Sequence, residues 1–371
     1  MKISEIRSFC VDRYLLVRVY TDKGFIGNGE AGLWAHHGMV KAAIDELAEY
    51  FVGKDPLRIE HHYQIISRQT HFAGAVIGAA LSSIDIALWD ILGKSVGMPV
   101  YQLLGGKTRN KIKVFENISG NTESEIVADA KKHVERGYTS LRMTPFYEGF
   151  EGKSASQIID EAVSMVACVR TAIGYQIDLG LEIHRNLRIE EAITLARELE
   201  PFRILYYEDP LAPESVEALK IMAPNVRLPI ATGERFYSLQ QFKELIDGKL
   251  VSLIRPDISL AGGFTQAKKI ASVAEAAFVG VFPHLMGSAV NNSVFSHFAA
   301  VLPNYTHMES NLLPSYLDPI IDEQMPIEKG YRILTDRPGI GIEIKEEVLS
   351  RFPQKKVKIS GHFHADGSVA H

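Results

Sequence analysis

Residues 177–184, Ile177-Asp178-Leu179-Gly180-Leu181-Glu182-Ile183-His184, form an apolar run that closes on ionisable side chains. The same pattern returns in Ile204-Leu205-Tyr206-Tyr207-Glu208-Asp209 and in Leu228-Pro229-Ile230-Ala231-Thr232-Gly233-Glu234. Working outward, similar β-branched or aromatic runs occur at Ile112-Val114-Phe115, Ser140-Leu141-Met143, Val251-Leu253-Ile254, Val279-Val281-Phe282 and Tyr305-Thr306-Met308. Helical segments separate them, and most of the spacings equal a strand, a loop, a helix and a second loop. Eight such units predict parallel strands joined by right-handed crossovers and closed into an α/β (β/α)8 TIM barrel. An open doubly wound sheet is the alternative, but no G-x-G-x-x-G follows the first strand.

Before the repeat, Lys2 to Gly29 alternates apolar and polar residues with a turn at Asp22-Lys23-Gly24, which predicts an antiparallel meander. From about Met39 the period becomes helical, and Ile77 to Leu92 is apolar enough for a buried helix. The division expected is therefore an α+β unit over 1–110, the barrel over 111–325, and a C-terminal segment over 326–371. In that last segment Arg332-Ile333-Leu334 and Gly341-Ile342-Glu343-Ile344 read as short strands returning to the N-terminal unit.

The 371 residues carry 40 Lys and Arg against 45 Asp and Glu, so nothing in the charge favours a nucleic-acid partner. Cys10 and Cys168 are the only cysteines and lie far apart, which argues against a disulfide scaffold and fits a reducing cytoplasm. Charged residues interrupt the N-terminus, and the apolar runs fall short of a membrane span, so no membrane partner is expected.

A barrel keeps its chemistry at the C-terminal ends of its strands. Those ends carry Glu182 and His184, Glu208 and Asp209, Glu234, Asp257, His284 and Glu309, with successive strands contributing a residue every 23 to 27 positions. Three carboxylates converging at one mouth raise one another's pKa unless a cation neutralises them. Glu182, Glu208 and Glu234 are thus expected to ligate a divalent ion, and all-oxygen ligands select Mg2+ over Zn2+. Strand alternation puts His184 on the same side as Glu182, facing the metal. Asp257 beside His284 suits an imidazole tuned as a general base.

These residues resemble the enolase superfamily, in its mandelate racemase subgroup and its galactonate dehydratase-like acid-sugar dehydratases. The resemblance rests on Leu181-Glu182-Ile183-His184, Tyr207-Glu208-Asp209-Pro210, Thr232-Gly233-Glu234-Arg235, Arg255-Pro256-Asp257-Ile258-Ser259 with Gly262-Gly263, Phe282-Pro283-His284 and Glu309. Ile84 to Asp90, Tyr101 to Gly106 and Pro338 to Gly341 extend it over nearly the whole chain. It implies a modified barrel under a capping domain built from both chain ends, and one Mg2+ on Glu182, Glu208 and Glu234. It further implies His284 with Asp257 as base, Glu309 as the group that hydrogen-bonds an enediolate oxygen, and His184 as the acid for a departing 3-hydroxyl. The implied reaction turns an aldonate or aldarate into its 2-keto-3-deoxy acid; a racemase, epimerase or cycloisomerase on the same scaffold is the alternative. A non-catalytic sugar-acid binder would need a missing ligand, base or electrophile, and none is missing.

Two positions depart from the family pattern. Glu182 replaces the more usual Asp, and Arg142 with Thr144 stand where racemases commonly have a Lys-x-Lys pair. Arginine is a poor base but a good carboxylate clamp, so Arg142 and Thr144 are expected to bind substrate. Trp34, His36 and Phe72, in Gly-flanked cap loops, are expected over the mouth; for Trp34 and Phe72, packing within the cap is the alternative. The family also suggests a symmetric homo-oligomer.

Overall fold

The computed structural model describes residues 1–371 apart from 214, 359, 360, 365 and 371. Strands β1 (Ile3–Val11), β2 (Tyr14–Thr21) and β3 (Ile26–Ala31) form the expected meander, an antiparallel sheet in the order β1-β2-β3. Gly24, at φ 79°, makes the turn between β2 and β3. Helices α1 (His37–Phe51) and α3 (Ala75–Val96) pack on this sheet, α2 (Ile59–Gln69) packs against α3, and a short α4 (Val100–Leu103) leads out of the unit. α3 is long and apolar enough to span a bilayer, more so than the sequence reading allowed, yet 67% of its most apolar stretch is buried inside the protein, as in a core helix. Its apolar side chains, among them Ile84, Ala87, Leu88 and Ile91, fill a core with Leu15, Val17 and Val19 of β2 and Ile44 of α1.

The barrel follows. Its strands are β4 (Lys111–Asn117), β5 (Ser140–Met143), β6 (Asp178–Glu182), β7 (Tyr207–Glu208), β8 (Ile230–Thr232), β9 (Leu253–Ile254), β10 (Gly280–Val281) and β11 (Met308–Glu309). Neighbours from β4 to β10 pair in parallel. β11 pairs in parallel with β4, and a parallel bridge between Val281 and Tyr305 closes the ring. Helices α5 (Glu123–Glu135), α6 (Ala155–Ile173), α7 (Ile189–Leu199), α8 (Val216–Met222), α9 (Leu239–Asp247), α10 (Gly263–Ala276) and α11 (Ala289–Val301) follow the first seven strands. After β11 only a short 3-10 turn, Ser315–Ile320, takes the place of an eighth helix. Inside the barrel, Phe115, Tyr206, Ala231, Leu253 and Phe282 make an apolar plug, and His307 stacks on Tyr206 within it. Burial lowers His307 to about 3, which suits a neutral, structural imidazole.

The C-terminal segment differs from expectation. β12 (Ile327–Glu328) and β13 (Tyr331–Ile333) form a hairpin, and β13 pairs antiparallel with barrel strand β4, Arg332 opposite Ile112. β13 takes the first residues of β4, Lys111–Lys113, ahead of those that pair with β11 and β5, so this strand does not return to the N-terminal sheet. Residues 341–344 form no strand, although Ile344 bridges Ile321. The segment does reach the cap further on: Glu346 takes Arg18 at 2.7 Å and Arg7 at 3.0 Å, and Asn28 donates to the Ile342 carbonyl at 3.2 Å.

Candidate active site

Parallel register puts the acidic residues side by side. Glu182 lies directly opposite Glu208 across β6 and β7. Glu234 follows β8 after Gly233, whose φ of 130° few other residues adopt. The carboxylate oxygens of Glu182, Glu208 and Glu234 lie within 4.8 Å of one another, and the first two residues are buried. A compact set of three carboxylates from adjacent strands matches a hard divalent ion in donor type and spacing.

Three guanidinium groups stand among these carboxylates. Arg255 is fully buried; its Nη1 contacts Glu208 and lies 3.1 Å from Glu234 and 3.8 Å from Glu182, while its Nη2 is 2.9 Å from Glu309. Arg142 Nη1 reaches Glu208 at 3.1 Å, Glu309 at 3.2 Å and Glu182 at 3.3 Å. Arg185 Nη1 bridges Asp209 and Glu234, the latter at 2.7 Å. The demand for a neutralising cation, which the sequence suggested a metal would meet, is therefore met in part by arginines. Burial disfavours the charge of Arg142, but Glu309 and Glu182 outweigh it and raise the group. Burial dominates at Arg255 and lowers it.

Asp257 and His284 come together as expected. Asp257 Oδ2 is 2.8 Å from His284 Nδ1, and Asp257 Oδ1 accepts from the Ser259 amide at 2.9 Å and from its hydroxyl. A proton on Nδ1, shared with Asp257, leaves Nε2 as the basic atom. Nε2 lies 3.7 Å from Glu234. Burial works against the imidazolium, but Glu234, the Asp257 hydrogen bond and Glu309 outweigh it and push His284 up to about 9. Both residues border a cavity of about 740 Å3 that is also lined by Trp34, His36, Arg185 and Glu234.

Other expected positions fall differently. β6 ends at Glu182, and His184 and Arg185 follow with φ of 54° and 66°. Two left-handed residues break the strand alternation, so His184 is exposed and Arg185 turns into the acidic cluster. The His184 amide donates to Glu182 at 2.9 Å, helping to orient that carboxylate. Glu309 accepts from Arg255, Arg142 and the Leu285 amide. Burial pushes Glu309 up, yet the two guanidiniums and His284 outweigh it and hold it ionised. Arg142 is engaged by carboxylates and by Asn117 at 2.8 Å, and neither it nor Thr144 borders the main cavity. Trp34 and His36 do border it, with Trp34 48% exposed. Phe72 is 100% exposed, so it does not pack within the cap, and it does not border this cavity. Arg185 and Arg255 were missed in the sequence, although Arg255 opens the stretch Arg255-Pro256-Asp257 and Arg185 directly follows His184, and an arginine next to a ligand strand was the available signal.

A closed parallel barrel under an α+β cap, with carboxylates on successive strand ends and an Asp–His pair, defines a class. Residues 125–348 match the enolase C-terminal domain-like family and residues 4–105 match the mandelate racemase / muconate lactonizing enzyme N-terminal domain. The chain belongs to the enolase superfamily, in the branch that these two domains define. Among curated relatives, D-galactonate dehydratase of Pectobacterium atrosepticum is 36% identical over 359 residues, 94% of each chain. The D-galactonate dehydratase of Verminephrobacter eiseniae is 34% identical over the full length of both. Among solved structures, an enolase from Pantoea ananatis with bound D-gluconate and Mg superposes with a TM-score of 0.94 at 30% identity, covering 100% of this chain and 99% of that one. A putative galactarate dehydratase from Agrobacterium radiobacter with bound Na and L-malate gives 0.93 at 26% identity, covering both chains fully.

Proposed function

We propose that this protein is a Mg2+-dependent acid-sugar dehydratase, a hydro-lyase that converts an aldonate or aldarate to its 2-keto-3-deoxy acid. The observation that carries the reading is the 2.8 Å Asp257–His284 pair at the cavity wall, beside the triad Glu182, Glu208 and Glu234. A divalent ion on that triad supplies positive charge to a substrate carboxylate as negative charge builds on it. His284 Nε2 removes the α-proton, and the electron pair moves into the carboxylate to give an enediolate. Asp257 holds the resulting imidazolium. Glu234 is the strongest group keeping a proton on His284, and with Glu182 and Glu208 it would be one of the three residues holding the ion. His184, exposed at the mouth, gives a proton to the 3-hydroxyl, which leaves as water, and the enol tautomerises to the 2-keto product. Glu309, ionised here, works through Arg255 and Arg142, which it holds beneath the reacting carboxylate. Trp34 and His36 contact the substrate at the cavity wall; Arg142, among the ligand carboxylates, clamps its carboxylate, and Thr144, just after β5, and Phe72, in the cap loop, are further substrate contacts in this reading.

Substrates in this reading are small acid sugars in the cytoplasm, and the working form is a homo-oligomer. The domains divide at 1–110, 111–325 and 326–371, with the last completing the cap. The test is incubation with a panel of acid sugars in deuterated water. Formation of a 2-keto-3-deoxy acid that stops after exhaustive EDTA treatment and returns with Mg2+ is expected. Deuterium at the α-carbon without water loss would favour the racemase or epimerase alternative.

A further inference from the structure

Glu30 is the last residue but one of β3 in the cap and is 1% exposed, with no cation among its hydrogen-bond partners in the described residues. Its carboxylate crosses the seam to the first turn of α11. Oε1 accepts from the Ser288 amide at 2.8 Å; Oε2 accepts from the Ser288 hydroxyl at 2.7 Å and from the Asn291 amide at 3.0 Å. Ser288 is the N-cap of the helix that opens just after His284. A helix N-terminus offers unpaired amides and positive potential, which is how a buried carboxylate without a cation is accommodated there. Burial nonetheless pushes Glu30 up to about 7.

Two residues further on, Gly32 donates its amide to the Ser259 carbonyl at 2.9 Å. A Cβ at Gly32 would lie 2.8 Å from Ser259 Oγ and 2.9 Å from Ser259 O, so glycine is required for this approach. Ser259 in turn gives both its amide and its hydroxyl to Asp257 Oδ1. The single stretch Glu30-Ala31-Gly32 thus grips the loop that carries His284 with one end and the loop that carries Asp257 with the other. The same stretch continues into Trp34 and His36 at the cavity wall.

We propose that Glu30 and Gly32 are positioning residues that set the Asp257–His284 hydrogen bond from the cap, so that the base is assembled by cap seating. The proposal rests on the reading of His284 as the base. Neither residue touches the cavity or the three ligand carboxylates, so their effect is confined to proton abstraction. A displacement of the order of 1 Å in such a pair costs about 10- to 100-fold in rate.

The experiment compares Glu30→Gln and Gly32→Ala with Phe51→Leu, a control that loosens the cap core away from the dyad. Glu30→Gln keeps the size of the side chain but puts an NH2 group against the donors of Ser288 and Asn291. For both seam variants kcat and the rate of α-proton exchange should fall by about tenfold or more, with KM and the Mg2+ dissociation constant within about threefold of the parent. Phe51→Leu should lower the melting temperature without that fall in kcat. Parental turnover in both seam variants, or an equal loss in Phe51→Leu, overturns the proposal. Crystal structures of the two variants form an arm that needs no substrate. A His284 Nδ1 to Asp257 Oδ2 separation lengthened beyond hydrogen-bond reach supports the proposal, and one unchanged from 2.8 Å overturns it. A parent that dehydrates no acid sugar counts against the proposed function, while this arm still decides the positioning role.

Discussion

Two regions of the molecule bury carboxylates, and they neutralise them by opposite means. At the barrel mouth, Glu208 and Glu309 are surrounded by Arg142 and Arg255, and the arginines hold Glu309 ionised. At the seam between cap and barrel, Glu30 and Asp85 accept, among the described residues, from amides and hydroxyls at the starts of α11 and α10. Both seam groups are pushed up to about 7, with burial as the main cause. The contrast separates two tasks. Full charges are kept where a charged substrate and a metal are to be held, and hydrogen-bond acceptors suffice where two domains are to be fixed against each other.

The largest effect expected from this contrast is on chemistry at the mouth. His284→Asn retains a hydrogen-bonding group for Asp257 but has no basic nitrogen, so turnover should fall by about 10^2- to 10^4-fold with the fold retained. His184→Asn should remove dehydration while sparing exchange of the α-proton, because only the second proton transfer is lost. Steady-state product formation and exchange into deuterated water, measured side by side, separate the two. Dehydration at the parental rate in His184→Asn would sink the acid assignment.

Next in size is the effect on stability of removing a mouth cation. Arg255→Gln leaves Glu208, Glu234 and Glu309 without their fully buried partner, and breaking a buried pair from one side costs about 3–5 kcal/mol. A divalent ion on the proposed triad would use two of the same carboxylates, Glu208 and Glu234. The gap in melting temperature between parent and variant should therefore be wide in EDTA and narrower in saturating Mg2+. An equal gap under both conditions would show that Arg255 and the ion do not draw on common acceptors.

How much of this was legible in the sequence differs along the same divide. The eight strand runs were readable because burial on both faces demands continuous apolar segments at a fixed spacing, and the acidic strand ends stood out against them. Asp257 and His284 were readable for the same reason. His184 was misplaced because alternation holds only while the strand lasts, and β6 stops two residues before it. Arg185 and Arg255 were passed over because a flexible side chain can enter a cluster from a position that alternation assigns elsewhere, whereas Arg142 was singled out as a carboxylate clamp. β13 was assigned to the wrong sheet because its partner, the start of β4, lies about 220 residues away in the chain and no local pattern selects between two distant strands. Glu30 and Asp85 read as ordinary acidic residues, since nothing local shows that their partners are the ends of distant helices.

The smallest effect expected is a pH dependence confined to the seam. Asp85, on α3, accepts from the amide and hydroxyl of Thr265 at the start of α10. Its folded pKa of about 7 exceeds the value of an exposed aspartate near 3.8, so between those limits the folded state holds a proton that the unfolded chain releases. Stability from this group is then fully present below about pH 4 and is lost as pH rises towards 7, by up to about 1.4 kcal/mol per pH unit in that window. The Asp85→Asn variant keeps an acceptor for the Thr265 amide, and its NH2 group can donate to the Thr265 hydroxyl, so it should fold. It has no proton to release. The parent should therefore be the more stable of the two at pH 4 to 5 and should lose that advantage by pH 7.5. Urea unfolding of both proteins across this range measures the difference directly. A parent-minus-variant difference that stays flat would mean that Asp85 is ionised throughout, and that the seam, like the mouth, holds its carboxylates as full charges.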